Sequence, residues 1–242
     1  MRNLIITIYA LFLMSCSDHS DGYFDSLDSA LKYGRNLGWV RLDLERKNLD
    51  NIPLEVLEIR GIGSLNLSGN DITTENVNNF PFSSLLNLEV LDLSNNKLTK
   101  FPKSLNGCGK INFINVSYNP LKEIDYSILT DSLKTLDISH TEINNIDLNK
   151  DCFQSLEDLY AGGLLDLEII SNRTIPSLHK VVFDDSEIIL ENLINLVNNA
   201  PNLVEVKLLG MHIDDSTYLK LKEINSDLYI RRVVTEGSDL DE

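Results

Sequence analysis

An eleven-residue pattern of apolar and polar positions recurs along the chain, and residues 88–98, LEVLDLSNNKL, show it clearly. Leucine stands at positions 1, 4, 6 and 11 of this pattern, and asparagine stands at position 9. A single polar residue separates positions 4 and 6, which is the alternation of a strand with one buried face. The pattern therefore predicts a short β-strand followed by a turn that contains the asparagine.

The pattern aligns eight times, at starts 39, 62, 88, 111, 133, 156, 178 and 203, with spacings of 22 to 26 residues. We number these units repeats 1 to 8. A period of this size is typical of solenoids, in which neighbouring units stack because one unit cannot bury its apolar side alone. The match is weakest in repeat 6, and a ninth strand is predicted near residues 228–230.

With this motif and spacing, residues 39–234 resemble the bacterial proteins of the leucine-rich repeat family. The resemblance implies an α/β fold, a curved horseshoe-shaped solenoid with a parallel β-sheet on its concave face. Mixed loops and short helices would cover its convex face. The resemblance also implies a scaffold that binds a protein partner.

The segments between the strands and at the ends differ in character. Residues 188–199 and 216–224 have apolar side chains three to four residues apart and predict helices late in the chain, the second capped by Asp214 or Asp215. The amphipathic residues 23–38 predict an N-terminal capping helix. About eight repeats and a terminal strand then occupy residues 39–234, and residues 235–242 form an acidic tail.

Residues 1–15 have the features of a lipoprotein signal peptide. The apolar run 4–14 is shorter than the roughly 20 residues that span a bilayer as a helix. Its end, Leu13-Met14-Ser15-Cys16, resembles the lipobox of bacterial lipoproteins, which implies lipidation at Cys16 and a polar tether over 16–22. Because Ser17 follows, the resemblance favours the outer membrane of the cell envelope. A cleaved signal peptide of a secreted or periplasmic protein, or a short apolar N-terminus of a cytosolic protein, are the alternatives.

Composition narrows the possible partners. The 242 residues are 43% hydrophobic, enough for a folded core, and the net charge is −16. An acidic surface repels phosphate backbones, so nucleic-acid binding is disfavoured. The charge fits solubility or a basic partner equally well.

Polar side chains recur at fixed positions of the repeat. Position 9 holds Asn70, Asn96 and Asn119, which we expect to form a structural ladder by bonding backbone groups of adjacent turns. Position 5 alternates Asp and Asn beside a column of serines at position 7. Carboxylates on alternate repeats would lie about 9–10 Å apart, too far to share one cation. The sequence therefore predicts no metal site and no cofactor.

Four aromatic residues depart from the repeat on the predicted concave side. Phe113, Tyr118, His140 and Tyr160 are predicted to form a partner-binding patch, because aromatic residues are enriched at interface hot spots. The alternative is that they are scattered surface aromatics without a shared role.

The cysteines and the known catalytic motifs give no further candidate site. Cys108 and Cys152 lie two repeats apart, about 9.6 Å, which exceeds the limit of roughly 7 Å for a disulfide, so both are predicted to be buried free thiols. The sequence contains no HExxH, GxSxG or GxGxxG motif and no Walker-type loop, which disfavours an enzyme with a small-molecule substrate.

These observations favour a non-catalytic, lipid-anchored scaffold that binds a protein through its concave face. The alternative is an envelope structural or immunity-type inhibitor protein that binds a basic enzyme. Binding by such an inhibitor should slow steeply as salt rises, because charge steering is screened.

Overall fold

The computed structural model describes residues 22–211 and 213–232. Cys16, the signal peptide and the acidic tail 235–242 lie outside the described residues, as does all of the tether except Gly22. Within the described ranges, no helix combines the length and the apolar character needed to cross a bilayer.

Ten short parallel strands form one sheet in the order β1-β2-β3-β4-β5-β6-β8-β10-β11-β12. Position 3 of each repeat pairs with position 3 of the next, as in Val90 beside Phe113 and Phe113 beside Thr135, so the alignment of repeats 2 to 8 is confirmed. The strands are β1 Tyr23–Phe24, β2 Val40–Asp43, β3 Ile62–Asn66, β4 Val90–Asp92, β5 Phe113–Asn115, β6 Thr135–Asp137, β8 Asp158–Tyr160, β10 Lys180–Val182, β11 Glu205–Leu208 and β12 Tyr229–Arg232.

The core lies on one side of this sheet. Leu91 and Leu93, at positions 4 and 6, are fully buried, and the equivalent apolar side chains of the other repeats join one continuous cluster from Phe24 to Leu228. Each repeat thus contributes the same inward-facing residues, and stacking removes them from water.

Helices and turns lie across the core from the sheet. The predicted late helices are present as α3 Leu190–Asn199 and α4 Asp215–Ile224, and Asp214 caps α4 by accepting the Thr217 amide at 2.6 Å. A second, two-stranded parallel sheet, β7 Asn145–Asp147 with β9 Glu168–Ile170, was not predicted. The early segments contain α2 Thr74–Asn78 and the 3-10 turns Leu54–Glu58, Phe82–Ser84, Lys103–Leu105, Tyr126–Ile128 and Asp151–Phe153.

The N-terminal cap differs from its prediction as a helix over residues 23–38. Tyr23–Phe24 instead forms β1, which pairs with Arg41–Leu42 at the edge of the sheet. The helix α1 is short, Leu27–Ser29, and continues as a π-helical turn over Ala30–Gly34. The backbone groups at the edge of β2 offer hydrogen bonds to an extended segment, and this pairing outweighs the helical periodicity of the first residues.

Repeat 1 also departs from the pattern. Trp39, expected in the core at position 1, is 43% exposed, and Val40 is buried in its place because the register shifts between Val40 and Arg41. The indole lies over Gly63 of repeat 2, where a Cβ would overlap the ring nitrogen. The bare glycine therefore makes room for the displaced tryptophan.

Candidate functional site

The asparagines at position 9 bond the turns of adjacent repeats together. Asn96 donates through Nδ2 to the carbonyls of Leu67 at 3.0 Å and Leu93 at 3.1 Å, and its Oδ1 accepts the Ile72 amide at 3.0 Å. Asn70 and Asn119 bond their own neighbouring turns in the same way. These side chains satisfy backbone groups that the turn leaves open, so they are structural.

The ladder weakens in the second half of the chain. Thr141 donates only to the Ile138 carbonyl at 2.8 Å, and the Ser186 hydroxyl bridges the Ala161 carbonyl and the Leu164 amide. Leucine and methionine occupy position 9 of repeats 6 and 8, and an apolar side chain cannot make such bonds.

The polar residues at positions 5 and 7 bond one another along the concave face. Asn115 donates to Asp92 Oδ2 at 3.1 Å, while Asp92 Oδ1 accepts both the amide and the hydroxyl of Ser94. Asn66 and Asp43 repeat this arrangement two strands away. Among residues 22–211 and 213–232, no group of three His, Cys, Asp or Glu side chains is placed to hold a metal ion.

The four aromatic residues of the predicted patch have different environments. Phe113 lies on the concave side between Val90 and Thr135 but is only 4% exposed, so its prediction as an exposed contact is wrong. Its register partners Val90 and Thr135 flank it on the two adjacent strands, so its burial depends on cross-strand packing. Tyr160 is half-buried, and the chain's own Lys180 ammonium lies 5.3 Å from its ring centroid.

Tyr118 and His140 form the exposed part of the patch. Their rings stack with centroids 4.3 Å apart and planes inclined by 22°. Tyr118 is 57% exposed, and His140 is also exposed. We call this pair the aromatic stack; it lies where the chain leaves the concave sheet at position 8 of repeats 4 and 5.

Position 8 has a left-handed backbone in every repeat. Gly69, Gly163 and Gly210 occupy it in repeats 2, 6 and 8, with φ of 65°, 66° and 76°. Glycine adopts this conformation without steric cost, and asparagine, as at Asn95, tolerates it. Tyr118 adopts it at φ of 53°, although its side chain disfavours it, and His140 adopts it at φ of 54°. The recurrence of glycine and asparagine at position 8 was the sequence signal for this turn, and the sequence interpretation missed it.

A buried carboxyl lies deeper on the concave face. Asp158 is 1% exposed, and no hydrogen bond from the described residues reaches its Oδ1. Burial raises the pKa of Asp158 to about 6, while the charge of Lys180 acts to lower it. Lys180 is itself paired with Glu205 at 3.2 Å. The sequence interpretation did not single out Asp158, because only the packing of its neighbours excludes it from water.

Burial also raises the pKa of Asp92, to about 6, and that of Asp137. The concave face thus presents a row of carboxyls, and their negative charge is disfavoured by desolvation.

Cys108 and Cys152 lie in the hydrophobic core and not on the concave face. Both are buried free thiols, as predicted, and burial raises the pKa of each to about 11. A thiol with so high a pKa is a poor nucleophile at neutral pH.

Comparison with known proteins supports the architecture. A family model described as leucine rich repeat matches residues 60–121. No curated protein sequence matches the chain significantly.

Several solved structures share the fold. Internalin C2 of Listeria monocytogenes is 22% identical, with a TM-score of 0.56, and the match covers 77% of this chain and 80% of that one. The internalin InlF of the same organism is 16% identical, with a TM-score of 0.58, covering 88% and 67%. A chain of the mouse RP105/MD-1 complex is 20% identical, with a TM-score of 0.57, covering 87% and 41%. Together with the ten-stranded parallel sheet, these matches show that the chain has the leucine-rich repeat fold.

Proposed function

We propose that the protein is a non-catalytic scaffold that binds a protein partner through its concave face and the aromatic stack beside it. Leucine-rich repeat domains are typically scaffolds for protein–protein interaction. The matched mouse structure is described as a complex with MD-1. The observation that carries the proposal for this chain is the exposed pair of Tyr118 and His140.

Stability of the fold does not explain this pair. A left-handed backbone costs a non-glycine residue roughly 1–2 kcal/mol, and four other repeats avoid much of that cost with glycine or asparagine at the same position. Strained residues that persist are concentrated at functional sites, and tyrosine is enriched in interface hot spots. An exposed aromatic surface at a strained turn is therefore best explained by a contact with a partner.

The charge of the concave face favours a basic partner. Asp43 and Asp92 are partly exposed on this face, Asp137 and Asp158 are buried beside them, and the whole chain has a net charge of −16. The same charge supports the second candidate, an inhibitor of a basic enzyme. For that inhibitor the association rate should fall steeply between low and physiological salt, whereas a partner held mainly by the aromatic stack should bind with little change.

We further propose that Cys16 anchors the protein in a bacterial envelope, most simply at the outer membrane. The support is the sequence Leu13-Met14-Ser15-Cys16 after a short apolar run. In a bacterial host, the Cys16→Ser chain should move from the membrane fraction to the soluble fraction. Retention in the membrane fraction would contradict the anchor without touching the binding role.

Capture of partners with the soluble Cys16→Ser chain tests the binding role. We expect a Tyr118→Asn/His140→Asn version to retain at least tenfold less of the captured partner, because loss of a hot spot costs 2 kcal/mol or more. Its melting temperature should not fall, since asparagine suits the left-handed turn as Asn95 already does. The control is Leu86→Asn, which removes an apolar side chain that is 74% exposed in the loop before repeat 3. If the double variant captures as much partner as the Cys16→Ser chain does, the proposed binding role of the aromatic stack is wrong.

A further inference from the structure

We propose that the outer edge of β12 accepts an extended acidic segment of a partner protein as an added strand. This contact is separate from the aromatic stack and does not depend on the binding role proposed for it. Three features of the molecule support it: unpaired backbone groups along β12, side-chain contacts that hold this strand in place, and basic side chains on its concave side.

The strand β12 lies at the end of the ten-stranded sheet and pairs on one side only. Tyr229 donates its amide to the Val204 carbonyl at 2.9 Å, towards β11. Backbone groups alternate in direction along a strand, so the amides and carbonyls of Ile230 and Arg232 point to the opposite edge. Within residues 22–211 and 213–232, no strand pairs with that edge. Unpaired groups of this kind are a template for one more strand.

Side-chain contacts hold β12 in position. The Arg232 guanidinium donates to the Ile213 carbonyl at 3.1 Å and to Asp215 at 2.8 Å. It also lies 4.3 Å from the Tyr218 ring centroid. Ile230 is half-buried and packs against the core. A partner segment would therefore meet a strand that is already ordered, which lowers the conformational entropy lost on binding.

The charge of the concave face reverses towards this edge. Position 5 of repeats 1 to 5 holds only Asp and Asn, whereas Lys207 occupies it in repeat 8 and Arg231 is its register partner on β12. Arg231 is exposed, and it forms no salt bridge with another described residue. The only acidic residue of β11 and β12, Glu205, already pairs with Lys180 at 3.2 Å and lies 3.7 Å from Lys207. The last two strands therefore carry a surplus of positive charge.

The concave side of β12 also determines the pattern of the added strand. Tyr229, which is 61% exposed, and Arg231 are two residues apart and point to the same face. Alternate side chains of an added strand would lie beside them. A guanidinium binds a carboxylate through two parallel N–H groups, so carboxylates at those alternate positions fit Arg231.

The charges also disfavour a second copy of this chain as the occupant. A second β12 would place arginines opposite arginines, and like charges directly across a strand pair are destabilising. The other edge strand, β1, has only two residues. Two copies would moreover each carry a net charge of −16. An acidic extended segment of a different protein is therefore the occupant that fits this edge.

The test is amide hydrogen exchange, followed by NMR on the isotope-labelled Cys16→Ser chain with the peptide acetyl-Val-Glu-Val-Glu-Val-Glu-amide. We expect the Ile230 and Arg232 amides to exchange at least about tenfold more slowly with the peptide, because they face the added strand. The amides of Tyr229 and Arg231 face β11 and should change less. Arg231→Gln should weaken peptide binding about fivefold. The matched control is Lys220→Gln on α4, which removes an exposed charge and should have no effect.

Two control peptides separate strand pairing from attraction between charges alone. The same peptide methylated at every backbone nitrogen keeps its carboxylates but cannot donate backbone hydrogen bonds, so it should give no protection. A peptide with Gln in place of each Glu should bind at least about fivefold more weakly, because it lacks the charge that Arg231 attracts.

No protection by the acidic peptide, or equal protection by the methylated one, would overturn the strand addition. Unchanged binding to Arg231→Gln would overturn the preference for an acidic segment. Slow exchange of the Ile230 and Arg232 amides in the free protein would show that the edge is already occupied, by a second copy if the effect grows with protein concentration, and would overturn the proposal too. Capture by the Tyr118→Asn/His140→Asn chain is a separate measurement, so either proposal can fail without the other.

Discussion

Replacing Asn96 by alanine is expected to lower the free energy of unfolding by about 3 kcal/mol. The substitution removes the bonds to the Leu67 and Leu93 carbonyls and the one from the Ile72 amide. Asn96 is buried, so water cannot replace these bonds without opening the turn. The cost is that of backbone groups left unpaired in the core, which exceeds the net value of an ordinary hydrogen bond. Urea or thermal unfolding followed by circular dichroism measures the change.

The adjacent Lys97→Ala variant is the matched control. Lys97 is exposed and pairs only with the equally exposed Asp71, so its loss should change the unfolding free energy by less than about 0.5 kcal/mol. An Asn96→Ala chain as stable as the Lys97→Ala chain would contradict the structural role of the ladder.

Replacing Asp158 by asparagine is expected to stabilise the protein at pH 7, by about 1–2 kcal/mol. The pKa of Asp158 is about 6 in the folded protein, above the ordinary value of 3.8, so the folded state binds the proton more tightly than the unfolded state. Stability from this group is present below about pH 4 and is lost as the pH rises through 6. The neutral asparagine avoids that loss.

The pH profile provides the check on this prediction. The wild-type chain should become less stable between pH 5 and pH 7. Asp158→Asn should reduce that slope while matching wild type near pH 4, and the remaining slope comes from Asp92 and Asp137, whose pKa values burial also raises. Glu157, His179, Lys180 and Glu205 act on the same carboxyl and remain in both chains. Asp131→Asn, at an exposed position, should leave the slope unchanged. An Asp158→Asn chain that is less stable than wild type at pH 7 would show that the buried charge is stabilising.

The regular part of the fold could be predicted from the sequence because it depends on a local period. The apolar positions 4 and 6 alternate with polar positions within each strand, and the side chain at position 9 bonds the nearest turns. Successive repeats therefore adopt the same local structure and stack on one another. The strands β1, β7 and β9 could not be predicted, since they lie outside the strand positions of the eleven-residue pattern and form only through backbone pairing with another segment. The register shift beside Trp39 likewise depends on the pairing of β2 with β3.

The candidate site was predicted in part. Tyr118 and His140 were recognised as departures from the repeat, but their stacking follows from a left-handed turn that the sequence interpretation did not use. The burial of Phe113 and Asp158 depends on side chains of adjacent strands, and no single repeat contains that information. Exposure on a sheet face is a property of three strands together, so a one-repeat pattern overestimates it.

The proposed function requires that the partner covers the aromatic stack. Hydroxyl-radical footprinting of the captured complex measures this contact, because tyrosine and histidine side chains are both modified when exposed. We predict that oxidation of Tyr118 and His140 falls several-fold in the complex. Oxidation of Leu219, exposed on α4 across the core from the sheet, should stay at the level of the free protein. Unchanged oxidation of Tyr118 and His140 together with protection of Leu219 would show that the partner binds elsewhere than at the aromatic stack.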